Sequence, residues 1–114
     1  MGLFSKGKKK QKAKQTKENP TISTADQIIF EKLTSDQDDY LTGLAEKLMD
    51  NKPLILNFEP LDIDQANKAI SFFSGVVFAK KGHIVHIQEK VFMFAAKDVY
   101  EDGSIDDFLK EIVQ

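Results

Sequence analysis

Six consecutive residues, Val91-Phe92-Met93-Phe94-Ala95-Ala96, are apolar with no polar residue among them. Successive side chains of a strand point to opposite sides, so a strand with one wet face alternates apolar and polar residues. A strand without that alternation is buried on both faces. Val76-Val77-Phe78-Ala79 and Leu54-Ile55-Leu56 read the same way. Any fold for this chain must therefore hold strands between two apolar layers.

The remaining patterns alternate strand and helix. Gln27-Ile28-Ile29-Phe30 is a short β-prone run. Ser35-Asp36-Gln37-Asp38 has the form of a capping box, and Leu41, Leu44, Ala45 and Leu48 follow at helical spacing. Pro53 ends that helix, and Leu54-Ile55-Leu56-Asn57-Phe58 is a central strand. Asp62 and Gln65 cap a second helix with Ile63, Ala66, Ile70 and Phe73 inward and Ala69 and Phe72 outward. Ser74-Gly75 stops it, with Gly75 as a left-handed C-cap. Three strands follow, 76–80, 83–88 and 91–96, joined by short turns into an antiparallel meander. Ser104-x-x-Asp107 opens a last helix with Ile105, Phe108, Leu109 and Ile112.

The expected order is β-α-β-α-β-β-β-α. It implies a two-layer α/β sandwich, a mixed five-stranded sheet with helices on one face. Helices on one face cannot cover strands that are apolar on two. The pattern thus predicts a dimer in which a second copy covers the open side, and the strand at 76–79, with Val77, would contribute to that self-association.

Charge divides the chain. Residues 1–19 carry seven Lys and one Glu, a net +6; the rest carries nine Lys and seventeen acids, a net −8. Residues 1–24 read as a flexible basic arm and 25–114 as the domain, since the arm has too little apolar surface to offset its ordering entropy. Leu3 and Phe4 precede Lys6, Lys8, Lys9 and Lys10, the order of an interfacial membrane anchor drawn to an anionic leaflet. A basic arm on nucleic acid is the alternative, and a merely solubilising tail a third. The chain has no Arg and no aromatic within the basic run, which disfavours base reading. No apolar run approaches the roughly 20 residues that span a bilayer, and no apolar segment of leader type follows the basic region.

Chemistry-bearing motifs are sparse. The chain has no Cys, and its glycines form neither a dinucleotide fingerprint nor a phosphate loop. His83 and His86, three apart on one strand, point to opposite faces and cannot chelate one ion together. Asp62 and the Asp36-Asp38-Asp39 group belong to helix starts, where the dipole favours negative charge. No enzyme, metal or cofactor is expected.

Over roughly residues 26–112, in the same element order, the chain resembles the SepF family, bacterial division proteins that work with the tubulin-like FtsZ. The resemblance rests on Leu54-Ile55-Leu56-Asn57-Phe58, Asp64-Gln65-Ala66, Lys68, Ser71-Phe72-Phe73-Ser74-Gly75, Val76–Ala79, Gly82 and Val91-Phe92-Met93. Where the family carries Arg and Asp in helix two, this chain has Lys68 and Ser71, so an ion pair between those positions is lost. The resemblance implies a non-enzymatic adaptor that binds the C-terminal peptide of FtsZ, self-associates and links FtsZ filaments to the inner face of the cell membrane during septum formation. It implies FtsZ contacts at Ala66, His86 and Phe92, and self-association at Gly75 beside the outward Phe72.

Overall fold

The computed structural model describes residues 23–112. The arm, with Leu3, Phe4 and the lysines at positions 6–17, lies outside the described residues, as do positions 113 and 114. The described chain opens with a 3-10 turn, η1 (Ala25–Gln27), and β1 (Ile29–Lys32). There follow α1 (Asp38–Met49), β2 (Leu54–Asn57), α2 (Ile63–Ala79), β3 (His83–Gln88), β4 (Val91–Ala95), a second 3-10 turn η2 (Lys97–Tyr100) and α3 (Ser104–Ile112). The strands make one mixed sheet in the order β1-β2-β4-β3, with β1 parallel to β2 and the other pairs antiparallel. The first strand lies two residues later than expected, behind the 3-10 turn.

The central pair β2–β4 obeys the two-sided rule. Leu54, Leu56, Phe92 and Phe94 point to one side, where α1 and α2 supply Leu41, Leu44, Ala45, Leu48, Ala69, Phe73 and Val77. Ile55, Val91, Met93 and Ala95 point to the other, where they meet Val99, Ile105 and the half-buried Phe108 and Leu109. The sheet therefore has four strands and not five, and helices on both faces and not one. The short α3 and the two 3-10 turns suffice for the second face because it is small: Met93, Ala95, Ala96 and Ile105 are fully buried there. Doubly apolar strands therefore do not require a second copy.

The missing strand is the end of α2. The expected helix stop at Ser74-Gly75 does not occur, and helical hydrogen bonding continues to Ala79 with Lys80 as C-cap. Ala66, Ala69, Ile70, Phe73, Val76 and Val77 keep one helical stripe running through the Ser-Gly pair, and all contact the same core. Packing of that stripe outweighs the β preference of Val76 and Val77. Ala69 is fully buried, contrary to its expected outward position, and Ile63, expected inward, is 78% exposed. At about 100° per residue, Ile63 lies some 80° off the stripe centred on Phe73. Val77 is a core residue, so the surface role expected of it as a strand residue falls away.

Local chemistry sets the other boundaries. Asp62 accepts from the Gln65 N–H at 2.8 Å while Gln65 Oε1 accepts from the Asp62 N–H at 3.0 Å, a complete capping box. At α1 the expected box is absent. Ser35 Oγ accepts from the Gln37 N–H instead, and the helix starts at Asp38. Gly82 is needed for close approach, since a Cβ there would lie 1.9 Å from the Ala95 carbonyl oxygen.

Residues 24–25 are tied to the start of α3 through one carboxylate. Thr24 donates its N–H and hydroxyl to Asp102 Oδ2 at 2.9 and 3.0 Å, and Ser104 donates its N–H and hydroxyl to Oδ1 at 3.0 and 2.8 Å. The Ala25 N–H completes the latch on Ser104 Oγ at 2.9 Å. The backbone N–H bonds of Thr24 and Ser104 hold the Asp102 carboxyl far below its ordinary value.

Two outcomes follow. Gly75→Ala should stabilise the protein by about 0.5–1 kcal/mol in urea unfolding, because Gly75 is an exposed mid-helix position with open space at its Cβ; at a left-handed cap the same change would destabilise. Asp102→Asn should cost about 1 kcal/mol at neutral pH. A depressed carboxyl stabilises fully above its unfolded value near 3.8 and less as pH falls below it, so the deficit should shrink in unfolding measured at pH 3.

Candidate partner-binding face

The side of the sheet under α2 is only partly closed. β3 is an edge strand, and its α2-side residues Ile84 and His86 pair with Phe94 and Phe92. Ile84 is 42% exposed and His86 is exposed, so the helix does not cover them. The His86 ring lies nearly parallel on Phe92, 4.7 Å between centroids and 19° between planes. Phe92 in turn meets Phe58 edge-on at 5.9 Å and Phe94 at 6.5 Å. Phe94 contacts Phe73 at 5.6 Å, and Phe73 contacts Phe72 at 5.4 Å. The rings form one continuous series from the outside of α2, through the core, to the β3 edge. Phe92 is the half-buried member at which core becomes surface.

The three residues expected to contact FtsZ share this side. Phe92 and His86 are stacked, and Ala66 on α2 is half-buried against the same cluster as Phe92. A β-bulge between His86 and Gln88 shifts the register at the edge strand just beyond the stack. His83 is on the opposite side, edge-on to Tyr100 at 5.4 Å, so the two histidines do diverge. The expected self-association residues separate: Phe72 (37% exposed) and Gly75 are on the surface of α2, and Val77 is inside. Phe78, expected within a buried strand, is instead 85% exposed on α2, three residues from Gly75. The signal for it was available, since Phe78 falls opposite the Ala69-Phe73-Val77 stripe once 76–79 is treated as helix.

Electrostatics on this side is simple. Lys68 reaches Asp38 at 3.0 Å and Asp36 at 3.9 Å, so it pairs across to the start of α1 in place of any partner on its own helix. Being about half exposed, such a pair contributes little stability. Tyr40 donates to Glu31 at 2.6 Å, and burial followed by that bond raises its phenol. The clefts are shallow and polar: one of about 360 Å³ bounded by Asn57, Glu59, Gln88, Glu89, Lys90 and Val91, another of about 320 Å³ by Gln37, Asp38, Asp39 and Lys68. Among the described residues no group of three acidic or histidine side chains could hold a metal ion, and no helix is long and apolar enough to cross a membrane.

Fold and face together define a small α/β module that offers an aromatic-backed surface. The family model for cell division protein SepF matches residues 33–100, from the residue after β1 to the end of η2. The chain belongs to the SepF family. It is 27% identical over 89 residues to a cell division protein SepF of Carboxydothermus hydrogenoformans, covering 78% of this chain and 63% of that one. Against SepF of Lactobacillus gasseri it is 31% identical over 68 residues, 60% of this chain and 47% of the other. Against SepF of Listeria monocytogenes it is 34% identical over 68 residues, 60% and 45% respectively. The chain thus spans about half to two thirds of the length of the curated relatives it matches.

The ring series grades in burial, and substitutions along it should grade in cost. Phe94→Ala should destabilise by about 3–5 kcal/mol. The half-buried Phe92→Ala should cost clearly less, and the exposed His86→Ala should stay within about 0.5 kcal/mol, all by urea unfolding.

Proposed function

We propose that this protein is a division adaptor: it binds the C-terminal peptide of FtsZ on the face formed by Ala66, His86 and Phe92, and it tethers FtsZ filaments to the inner face of the membrane at the septum. The observation that carries the reading is the stack of exposed His86 on half-buried Phe92 beside α2, in a chain of the SepF family. A ring presented at the surface yet fixed from behind by Phe58 and Phe94 offers apolar contact at small entropic cost, as an anchor site for a short peptide should. His86 adds a donor at the rim. The chemistry is recognition, and no catalytic step enters it.

Self-association belongs to the same reading. The outer side of α2 carries Phe72, Gly75 and Phe78, and Gly75 allows a close approach with open space at its Cβ position. A second copy laid on this helix would bury Phe78 and give a homodimer. The arm supplies the membrane contact through Leu3, Phe4, Lys6, Lys8, Lys9 and Lys10. Two arms on one dimer would bind with the avidity that a single short anchor lacks.

Fluorescence anisotropy with a labelled FtsZ C-terminal peptide tests the face. His86→Ala and Phe92→Ser should each weaken binding at least about tenfold, His86→Ala with unfolding stability preserved. Absence of any binding by the intact chain, together with no co-sedimentation with FtsZ polymers, would overturn the proposal.

A further inference from the structure

Histidine is the side chain that ordinarily changes charge between about pH 5 and 8. This chain has no Cys and two histidines, His83 and His86. The groups displaced from their ordinary values move away from that window. Burial raises the phenols of Tyr40 and Tyr100, and the backbone N–H groups of Thr24 and Ser104 hold the Asp102 carboxyl far below the carboxylate range. The sheet then separates the two histidines. His83 pairs with Ala95 on the α3 side and meets Tyr100 edge-on; His86 pairs with Phe92 on the α2 side. Of the two, His86 alone lies in the candidate partner-binding face.

His86 is a polar tip on apolar ground. Its ring lies nearly flat on Phe92, 4.7 Å between centroids, and the half-exposed Ile84 is its neighbour on the same side of β3. Among the described residues none hydrogen-bonds to its nitrogens or forms an ion pair with it. The charges around it belong to neighbouring segments. α2 with its caps carries Asp62, Asp64, Lys68 and Lys80, and the turn before β3 carries Lys81. The loop after β2 carries Glu59, the β3–β4 turn carries Glu89 and Lys90, and β4 carries none. Lys68 is engaged with Asp38. Carboxylates and ammonium groups keep their charge near neutrality, so none of these competes with His86 as a titrating group. An imidazolium has two donors and no acceptor, and the partner that suits it best is a carboxylate.

We propose that peptide binding at this face is coupled to protonation of His86, whose charged form takes a carboxylate lying beside the apolar residue that packs on Phe92. The inference rests on the reading of this face as the FtsZ-binding one. It adds the chemistry of one position in the partner and a dependence on pH. Linkage fixes the direction: a carboxylate paired in the complex favours the imidazolium, so the bound state has the higher histidine pKa and binding takes up a proton. Affinity is full below the histidine range and falls as pH rises through it.

Fluorescence anisotropy with the labelled FtsZ C-terminal peptide, repeated from about pH 5.5 to about pH 8, tests this. The unmodified chain should bind about fivefold more weakly at the upper end, the difference between a charge-assisted and a neutral hydrogen bond. His86→Gln should bind weakly with no slope. His86→Lys, charged throughout, should bind at the upper end as tightly as the unmodified chain does at the lower. His83→Gln, on the other side of the sheet, should keep both affinity and slope, and a peptide with its carboxylates replaced by amides should lose the slope. Binding with a flat profile, or a slope that survives in His86→Gln, would overturn the proton coupling and leave the FtsZ-binding face standing. A slope that survives with the amidated peptide would overturn the carboxylate. No binding at any pH would overturn both the coupling and the face.

Discussion

Everything in this structure depends on the antiparallel pairing of β2 with β4. Two short strands, Leu54–Asn57 and Val91–Ala95, send large apolar side chains to both sides, and neither side can face water. The sheet has to be sandwiched. One cover, α1 with the long α2, is deep and aromatic. The other, α3 with two 3-10 turns, is thin and is tied by Asp102 to the segment that precedes β1. The two covers leave different things exposed: the ring series that ends in Phe92 and His86 lies on the α2 side, and Phe30 of the edge strand β1, 65% exposed, lies on the α3 side.

That requirement could be read in the sequence directly, from Val91–Ala96 alone. So could α1, because Leu41, Leu44, Ala45 and Leu48 have no competing periodicity, and the cap at Asp62, because a carboxylate and a Gln three residues on are a local pair. What could not be read was the fate of Val76–Ala79. Four β-prone residues after Ser-Gly satisfy the local signal for a strand, and only the need to seat Phe73 and Val77 side by side in the core makes them helix. With that strand counted, five strands have too few helices, and the pattern calls for a second copy to cover a face that α3 covers. The expected sandwich puts the helix of Ile105, Phe108 and Leu109 on the same face as the other two, whereas it covers the opposite one.

The candidate face was legible in part. Phe92 and His86 come from one hairpin with a short turn, so their stacking follows from register. Ala66 joins them only because α2 packs above β4, a tertiary fact with no local signal. Phe78, the most exposed aromatic of α2, was hidden by the same strand assignment that misplaced Gly75.

The two-cover arrangement gives the adaptor reading its physical content. A partner peptide should meet the chain where the aromatic core reaches the surface and should leave the thinner, latched cover alone. Amide chemical-shift mapping of the isotopically labelled full chain, titrated with the FtsZ C-terminal peptide, tests this most directly. The account predicts shifts concentrated at Ala66 and its neighbours on α2, at His86 on β3 and at Phe92 on β4, with Ile105, Phe108 and Leu109 unmoved. Shifts centred on α3 and η1, or none at saturating peptide, would contradict it.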